Sequence, residues 1–255
     1  MGATGSIVLS TLEFDMLWEV ERLPPPHPAL RVASPGRTHA DRRTLVDQAW
    51  ESLRARGLAR GNRAGADLVD QLNLLAHPKV SLDIWVWTDR EIKGLAVSIG
   101  AQALLAVVDR DEVWLIPARD TSLPESAVSV AGDLGAGVGR SVSLPHRVVR
   151  AADADAQGDP KALVTALEDR GVELWQAQEL AGMMVGMTAR GQVGAERLGR
   201  DGLMRRADRV IAFHDTDAGR YLVQLGQGDG QDWITVAPAD NHLLAARVWE
   251  LLEEV

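Results

Sequence analysis

The chain has 255 residues, of which 46% are hydrophobic and 25% are charged, and its formal net charge is −9. This length can bury the core of one large domain or of two closely packed halves, and the acidic charge opposes binding to a phosphate backbone. The sequence contains no cysteine, which excludes disulfides, thiolate nucleophiles and cysteine-ligated metal or iron–sulfur sites.

The N-terminal part of the chain predicts helices. Ser10 and Glu13 match an S-x-x-E capping box and predict a short helix, which the proline-rich run 23–28 ends. Residues 29–33 are interpreted as an edge strand, and leucines at helical spacing predict a helix pair at about 38–76. We expect neither a signal peptide nor a membrane span, because no basic and apolar leader and no apolar run of roughly 20 residues is visible.

Strands are predicted next. Residues 80–88 alternate between an apolar face and a face that carries Trp85 and Trp87, which is typical of a strand. Residues 103–108 and 112–116 flank a polar turn and predict a hairpin.

Residues 117–159 have the least regular pattern. They predict a weak helical stretch at 124–131, a short strand at 141–144 and then an acidic, alanine-rich loop. The glycine-rich segment 132–140 between them lacks the Lys-Ser/Thr pair of a phosphate-binding loop and leads into a strand. We therefore interpret this segment as a flexible loop.

The C-terminal part again predicts helices followed by strands. A helical region begins at residue 160, breaks at Gly171 and continues from 173 to about 188. Four strands follow at 191–198, 209–214, 220–225 and 233–236, and a last helix extends from about 238 to 253. The repeated order suggests a structural duplication, and the short antiparallel connections indicate an α+β fold.

Residues that could support catalysis are scarce. The six histidines show no paired ligand spacing, and no serine lies in a G-x-S-x-G elbow. His214, Asp215 and Asp217 form a tight cluster that leaves a metal-dependent enzyme open as an alternative. The same stretch, 215–219, is also typical of a hairpin turn.

Two groups of apolar residues have no obvious role inside the chain. Trp85 and Trp87 share one strand face, and indole is an efficient anchor for a partner. The helix predicted around 173–188 carries apolar residues at three- and four-residue spacing, namely Leu180, Met183, Met184 and Met187. Methionine suits a surface that accommodates varied helices, but the same spacing is typical of ordinary core. Both interpretations remain open.

From about Ser10 to Leu252 the chain resembles the EspG family, the cytosolic chaperones of type VII (ESX) secretion systems. The resemblance rests on ordered blocks: STLEFD at 10–15, LAHP at 75–78, GQVGA at 191–195, FHDTDAGRY at 213–221 and WITVAPAD at 233–240. Val193 stands where we expect an aromatic residue, and we interpret this difference as variation in the core.

The resemblance implies a pseudo-twofold α+β fold with a central antiparallel sheet flanked by two helical bundles. It implies one domain over 1–255, made of quasi-equivalent halves at about 1–120 and 155–255 that an irregular segment joins. It also implies a cytoplasmic chaperone, not an enzyme, that binds the helical tip of a PPE-type protein paired with a PE-type partner. No cofactor, metal, nucleic acid or membrane is expected.

The resemblance places partner binding on the sheet and on the C-terminal helical bundle. Carried onto this sequence, the expected contact residues are Trp85, Trp87, Arg90, Leu180, Met183, Met184 and Met187. Without its partner the protein is expected to be a monomer or a weak dimer. A structural component that self-associates through the same surface remains an alternative.

Overall fold

The computed structural model describes residues 5–228 and 230–255. The first part of the chain forms β1 (Ile7–Ser10), α1 (Thr11–Val20), α2 (His39–Ala55), β2 (Ala59–Arg60), β3 (Arg63–Ala64), α3 (Ala66–Ala76), β4 (Val80–Trp87), β5 (Glu91–Ile99), β6 (Gln102–Asp109), β7 (Glu112–Ala118) and α4 (Leu123–Val128). The second part forms β8 (Val142–Pro145), α5 (His146–Ala156), α6 (Pro160–Glu168), α7 (Leu174–Met184), β9 (Met187–Leu198), β10 (Met204–Arg206), β11 (Ile211–Thr216), β12 (Gly219–Gly228), β13 (Gln231–Pro238) and α8 (Asn241–Leu252). Short 3-10 helices occupy Pro28–Leu30, Asp120–Ser122 and Ser129–Ala131.

Eleven strands of the described residues form one sheet in which the paired strands are antiparallel. Its order is β1-β7-β6-β5-β4-β9-β11-β12-β13-β8, with β10 paired to β9 outside this path. The order is mirrored about the central pair of β4 and β9, which confirms the predicted pseudo-twofold α+β class. We infer that the two parts of the chain are quasi-equivalent halves of one domain, and that β8 and α5 belong to the second half.

The two faces of the sheet are covered differently. On one face, α4 and α8 pack over the centre, against Leu82, Ile84 and Val86 of β4. On the opposite face, α1–α3 pack against β5–β7, while α5–α7 pack against β8, β12 and β13. Between these two bundles lies what we call the central strip, formed by one face of β4 and β9: Asp83, Trp85, Trp87, Arg190 and Gln192.

Elements with strong local signals lie where the sequence predicts them. The capping box is present, since Ser10 Oγ accepts a hydrogen bond from the Glu13 amide at 3.1 Å and Glu13 Oε2 accepts one from the Ser10 amide at 2.8 Å. The strand predicted at 80–88, the hairpin at 103–116 and the last helix are also confirmed.

Three predictions for weakly patterned segments are wrong. Residues 29–33 contain no strand, because Pro28 begins a 3-10 helix that packs on β5 and β6. The loop predicted after Pro145 is α5, which buries Val149, Ala152 and Ala156 on one face and turns its acidic residues outward. Residues 91–99, for which the sequence predicts no element, form β5, and only three residues separate it from β4.

The third correction concerns the helix predicted to continue to about residue 188. Helix α7 ends at Met184, and Met187 is the first residue of β9. Val185, the C-cap residue, is already extended, and Gly186 then turns the chain towards β9 with φ +71, a left-handed conformation that glycine adopts without a steric penalty. Met187 therefore does not lie on the helix with Leu180 and Met183. No helix among residues 5–228 and 230–255 is long and apolar enough to cross a bilayer.

Candidate partner-binding site

Trp85 and Trp87 project from alternate positions of β4 into the central strip, where both are half-buried. Their rings stack with centroids 6.2 Å apart and an interplanar angle of 19°. Trp85 Nε1 donates to Asp83 Oδ2 at 3.1 Å, and Trp87 Nε1 donates to Glu91 Oε1 at 3.1 Å. Hydrogen bonds to carboxylates thus orient both indoles. Their apolar faces lie in the gap between the bundles.

Cations accompany both rings of the central strip. Lys93 Nζ lies 5.7 Å from the Trp85 centroid, and the Arg190 guanidinium lies 5.6 Å from the Trp87 centroid. These are cation–π distances, and such contacts at partly exposed sites contribute about 0.5–1 kcal/mol each. The strip therefore combines aromatic area with positive charge.

Arg90 is engaged within the protein. Its Nε and Nη2 donate to the two carboxylate oxygens of Asp109 at 2.7 and 3.0 Å, and its Nη1 lies 3.2 Å from Asp89 Oδ1. The pair with Asp109 raises the pKa of Arg90 and lowers that of Asp109. Arg90 thus joins the β4–β5 turn to the end of β6, and a partner would meet it as part of an existing ion pair.

The residues predicted on α7 do not share one environment. Leu180 and Met183 are each only 1% exposed and belong to the core cluster beneath the second bundle. These two residues are therefore ordinary core, which was the alternative to a contact surface. Met184 is half-buried beside that core, whereas Met187 is exposed at the start of β9.

The outer face of α7 carries a residue that the sequence reasoning missed. Trp175 is 51% exposed, and with Val138, Gly182 and Tyr221 it lines a cleft of about 460 Å³. Residues 177, 180 and 181 of α7 are buried, so 175, 178 and 182 face outward. The helix predicted at 173–188 already contains Trp175, and helical spacing groups it with residues 178 and 182, a signal that could have revealed this face.

We call the exposed apolar set around this helix the α7 surface: Val138, Trp175, Val185 and Met187. Such a concentration of exposed large apolar side chains is typical of an interaction site. Val138, at 76% exposed, projects from the glycine-rich segment and contributes to the cleft beside Trp175.

The glycine-rich segment is anchored on β12 rather than standing free. The amide of Gly137 donates to the Arg220 carbonyl at 2.9 Å, and the Tyr221 hydroxyl donates to the Val138 carbonyl at 2.9 Å. A Cβ at Gly137 would lie 2.1 Å from an atom of the Tyr221 ring, so only glycine fits there. The segment therefore holds Val138 in place on the α7 surface.

The cluster His214, Asp215 and Asp217 is not arranged as a ligand site. Buried His214 donates from Nε2 to the Met183 carbonyl at 2.8 Å, and burial lowers its pKa, so the neutral ring is favoured. Both carboxylate oxygens of Asp215 accept hydrogen bonds from Arg220. Asp217 is exposed in the β11–β12 turn. The cluster therefore has a structural role: His214 joins β11 to the end of α7, and Asp215 joins β11 to β12 through Arg220.

A different acidic group lies at one end of the central strip. Potential ligand atoms of His27, Asp83 and Glu196 lie within 4.8 Å of one another. Arg206 Nη1 lies among them, 2.7 Å from Asp83 Oδ1 and 2.9 Å from Glu196 Oε1. His27 and Arg206 lower the pKa of Glu196 to about 2. The guanidinium supplies the positive charge of this cluster, which joins β4, β9, β10 and the proline-rich segment.

Comparisons with known proteins agree with this architecture. A model of the EspG family matches residues 10–250. No curated protein is a significant match. Among solved structures, the chain is similar to the Mycobacterium tuberculosis type VII secretion system chaperone EspG5, determined in complex with the PE25–PPE41 dimer. The two chains share 15% sequence identity and a TM-score of 0.76, over 98% of this chain and 96% of that one, and at this identity the similarity shows the fold. Because the family model covers nearly the whole chain, this protein belongs to the EspG family.

Proposed function

We propose that this protein is a cytoplasmic chaperone of a type VII (ESX) secretion system, which binds the helical tip of a PPE-type protein paired with a PE-type partner and keeps it soluble for export. Membership of the EspG family supports this function. The similar fold of EspG5, which was solved with the PE25–PPE41 dimer, supports the class of partner.

The observation that carries the proposal is the α7 surface, whose Met187 begins β9, one of the two strands of the central strip. Trp175 is a large aromatic side chain that is half exposed on a helix whose opposite face is buried. An indole at the rim of a cleft is the kind of residue that contributes most to protein association. The cleft of about 460 Å³ is suited to single apolar side chains that project from a helix.

The surroundings of the cleft favour a helical partner. Gly182 on the outer face of α7 is exposed and presents no side chain, so another helix can approach the backbone closely there. Gln178 and Glu179 supply a polar rim on the same helix. Val185 and Met187 continue the apolar surface from the end of α7 into β9, towards Arg190 and the aromatic rings of the strip.

The proposed function assigns no catalytic step to the chain. The proposed contact residues are Trp85, Trp87 and Met187, as the sequence predicts, together with Val138, Trp175 and Val185. Met184 contributes at the boundary between surface and core. Leu180 and Met183 support the surface from beneath, and Arg90 supports it through its ion pair with Asp109.

The test is co-expression with a PE/PPE-type pair from the same organism and recovery through a tag on this chain. We expect the pair to copurify with the wild type and to be lost with Trp175→Asp, which places a charge in the cleft. Trp114→Asp is the matched control, since Trp114 is 39% exposed on β7, the strand next to the edge strand β1 in the other half of the sheet. Retention by Trp175→Asp, or equal loss with Trp114→Asp, would contradict the proposal.

Light scattering of the protein alone distinguishes the alternative of self-association. A monomer or weak dimer over a concentration series is expected for a chaperone without its client. A stable dimer that Trp175→Asp dissociates would instead assign the α7 surface to contacts between copies of this chain.

A further inference from the structure

A second concave surface lies on the first helical bundle, far along the chain from α7. It is a cleft of about 740 Å³ bounded by α1, by the proline-rich segment that follows it and by the start of α2. Phe14 and Trp18 of α1 line it, with ring centroids 5.2 Å apart, and both are buried. Trp18 Nε1 donates to the Pro24 carbonyl at 2.7 Å. The indole donor is thus used internally, and the half-buried Leu23, Pro26 and Val32 add the more accessible part of the apolar floor.

The charge of this cleft is opposite to that of the whole chain. Four arginines and two carboxylates line it, although the chain as a whole carries −9. Arg42 pairs with both carboxylates, at 2.6 Å from Asp15 Oδ2 and 2.8 Å from Glu19 Oε2. The remaining three, Arg22, Arg31 and Arg37, are exposed and make no ion pair with the described residues.

We propose that this cleft binds an extended acidic segment of a partner protein, with Arg22, Arg31 and Arg37 contacting its carboxylates. Guanidinium groups form paired hydrogen bonds to carboxylates, and the apolar floor accommodates the side chains between them. A volume of about 740 Å³ admits several residues of an extended chain. RNA is the less favoured polyanion, because the surrounding acidic protein repels a long phosphate backbone.

The cleft is organised before any partner binds. Prolines at 24, 25, 26, 28 and 35 restrict its wall, and proline fixes φ at about −65°. Arg42 Nη1 donates to the Pro35 carbonyl at 3.3 Å, and Ser34 Oγ donates to Asp15 Oδ2 at 2.9 Å. A wall held in this way loses little conformational entropy when a ligand enters.

The cleft also adjoins the central strip. The Arg31 carbonyl accepts a hydrogen bond from Lys93 Nζ at 2.8 Å, and Lys93 lies over the Trp85 ring. A partner seated on the strip can therefore extend an acidic segment across Lys93 into the cleft. The inference goes beyond the proposed function, since it concerns a different surface and a different part of a partner.

The probe is a fluorescein-labelled peptide of eight glutamates, followed by fluorescence anisotropy with the full-length protein. We expect saturable binding that weakens as salt rises, and about tenfold weaker binding by Arg31→Gln/Arg37→Gln. Arg60→Gln/Arg63→Gln is the matched control, because it removes the same charge from exposed arginines of β2 and β3. Circular dichroism verifies that both double variants fold.

Each other outcome would overturn the inference. Absence of binding at low salt, or equal weakening by both double variants, would show that no site for acidic peptides lies in the cleft. Equally tight binding of an eight-residue oligoadenylate would assign the cleft to nucleic acid. Displacement of the peptide by citrate or phosphate, at anion concentrations below the peptide's own dissociation constant, would show that the cleft binds a small anion. None of these measurements uses a PPE-type client, so failure of the proposed function and failure of this inference are distinguishable.

Discussion

The buried pair of Arg220 and Asp215 offers a direct test of what holds the second half of the sheet together. Arg220 is 0% exposed, and its Nε and Nη2 donate to Asp215 at 2.7 and 2.8 Å. Its other donors reach the Ala131 carbonyl at 2.8 Å, the Gly132 carbonyl at 3.3 Å and the Asn241 side chain. One guanidinium thus connects β11 and β12 with the segment after α4 and with the first turn of α8.

Asp215→Asn removes the counter-charge and leaves the volume nearly unchanged. One oxygen becomes an amide nitrogen that faces the guanidinium donors, so at least one short hydrogen bond is lost and the positive charge stays buried. Removing one partner of a buried ion pair typically costs about 3–5 kcal/mol of unfolding free energy. For a chain of this length we expect the melting temperature to fall by roughly 10 °C.

Urea unfolding at pH 7, followed by circular dichroism, measures this loss. Asp201→Asn is the matched control, because Asp201 makes a similar paired contact with Arg205, at 3.0 and 2.7 Å, on the exposed surface. Exposed pairs contribute about 0–1 kcal/mol, so the control should lose little stability. A loss below about 1 kcal/mol for Asp215→Asn, similar to that of the control, would refute the assignment of Arg220 as a buried charge that depends on Asp215.

Three further predictions follow from the same half and from α1. Gly137→Ala should lower the unfolding free energy in urea by about 1–3 kcal/mol, since the added Cβ would meet the Tyr221 ring. The Cβ of Gly135→Ala enters open space, so this control variant should have nearly the unfolding free energy of the wild type. Ser10→Ala removes one side of the capping box and should cost about 1 kcal/mol by thermal unfolding. Burial lowers the pKa of His214, so the unfolded chain binds a proton at this histidine more readily than the folded protein does. The free energy of unfolding should therefore fall as the pH drops below about 6.5, the usual pKa of histidine. This fall should be smaller in His214→Gln.

Local patterns in the sequence were sufficient to predict the elements with a regular pattern, such as β4 and α1. The alternation in 80–88 identifies β4 and places both tryptophans on one face, and the S-x-x-E pattern locates the start of α1. These features depend on neighbours in the chain, so they can be read without knowledge of distant contacts. The resemblance of ordered blocks to the EspG family supplied the arrangement of sheet and bundles.

Only the tertiary structure decided which apolar residues are surface and which are core. Periodicity shows that residues share a helix face, but a face becomes core only when another element covers it. Met183 is therefore buried and Trp175 exposed, although the sequence drew attention to the methionine. Arg22, Arg31 and Arg37 of the cleft beside α1 lie outside the helices and strands, and Arg220 meets residues about 90 positions away. Contacts between distant segments depend on how the chain folds back on itself, and no local pattern records them.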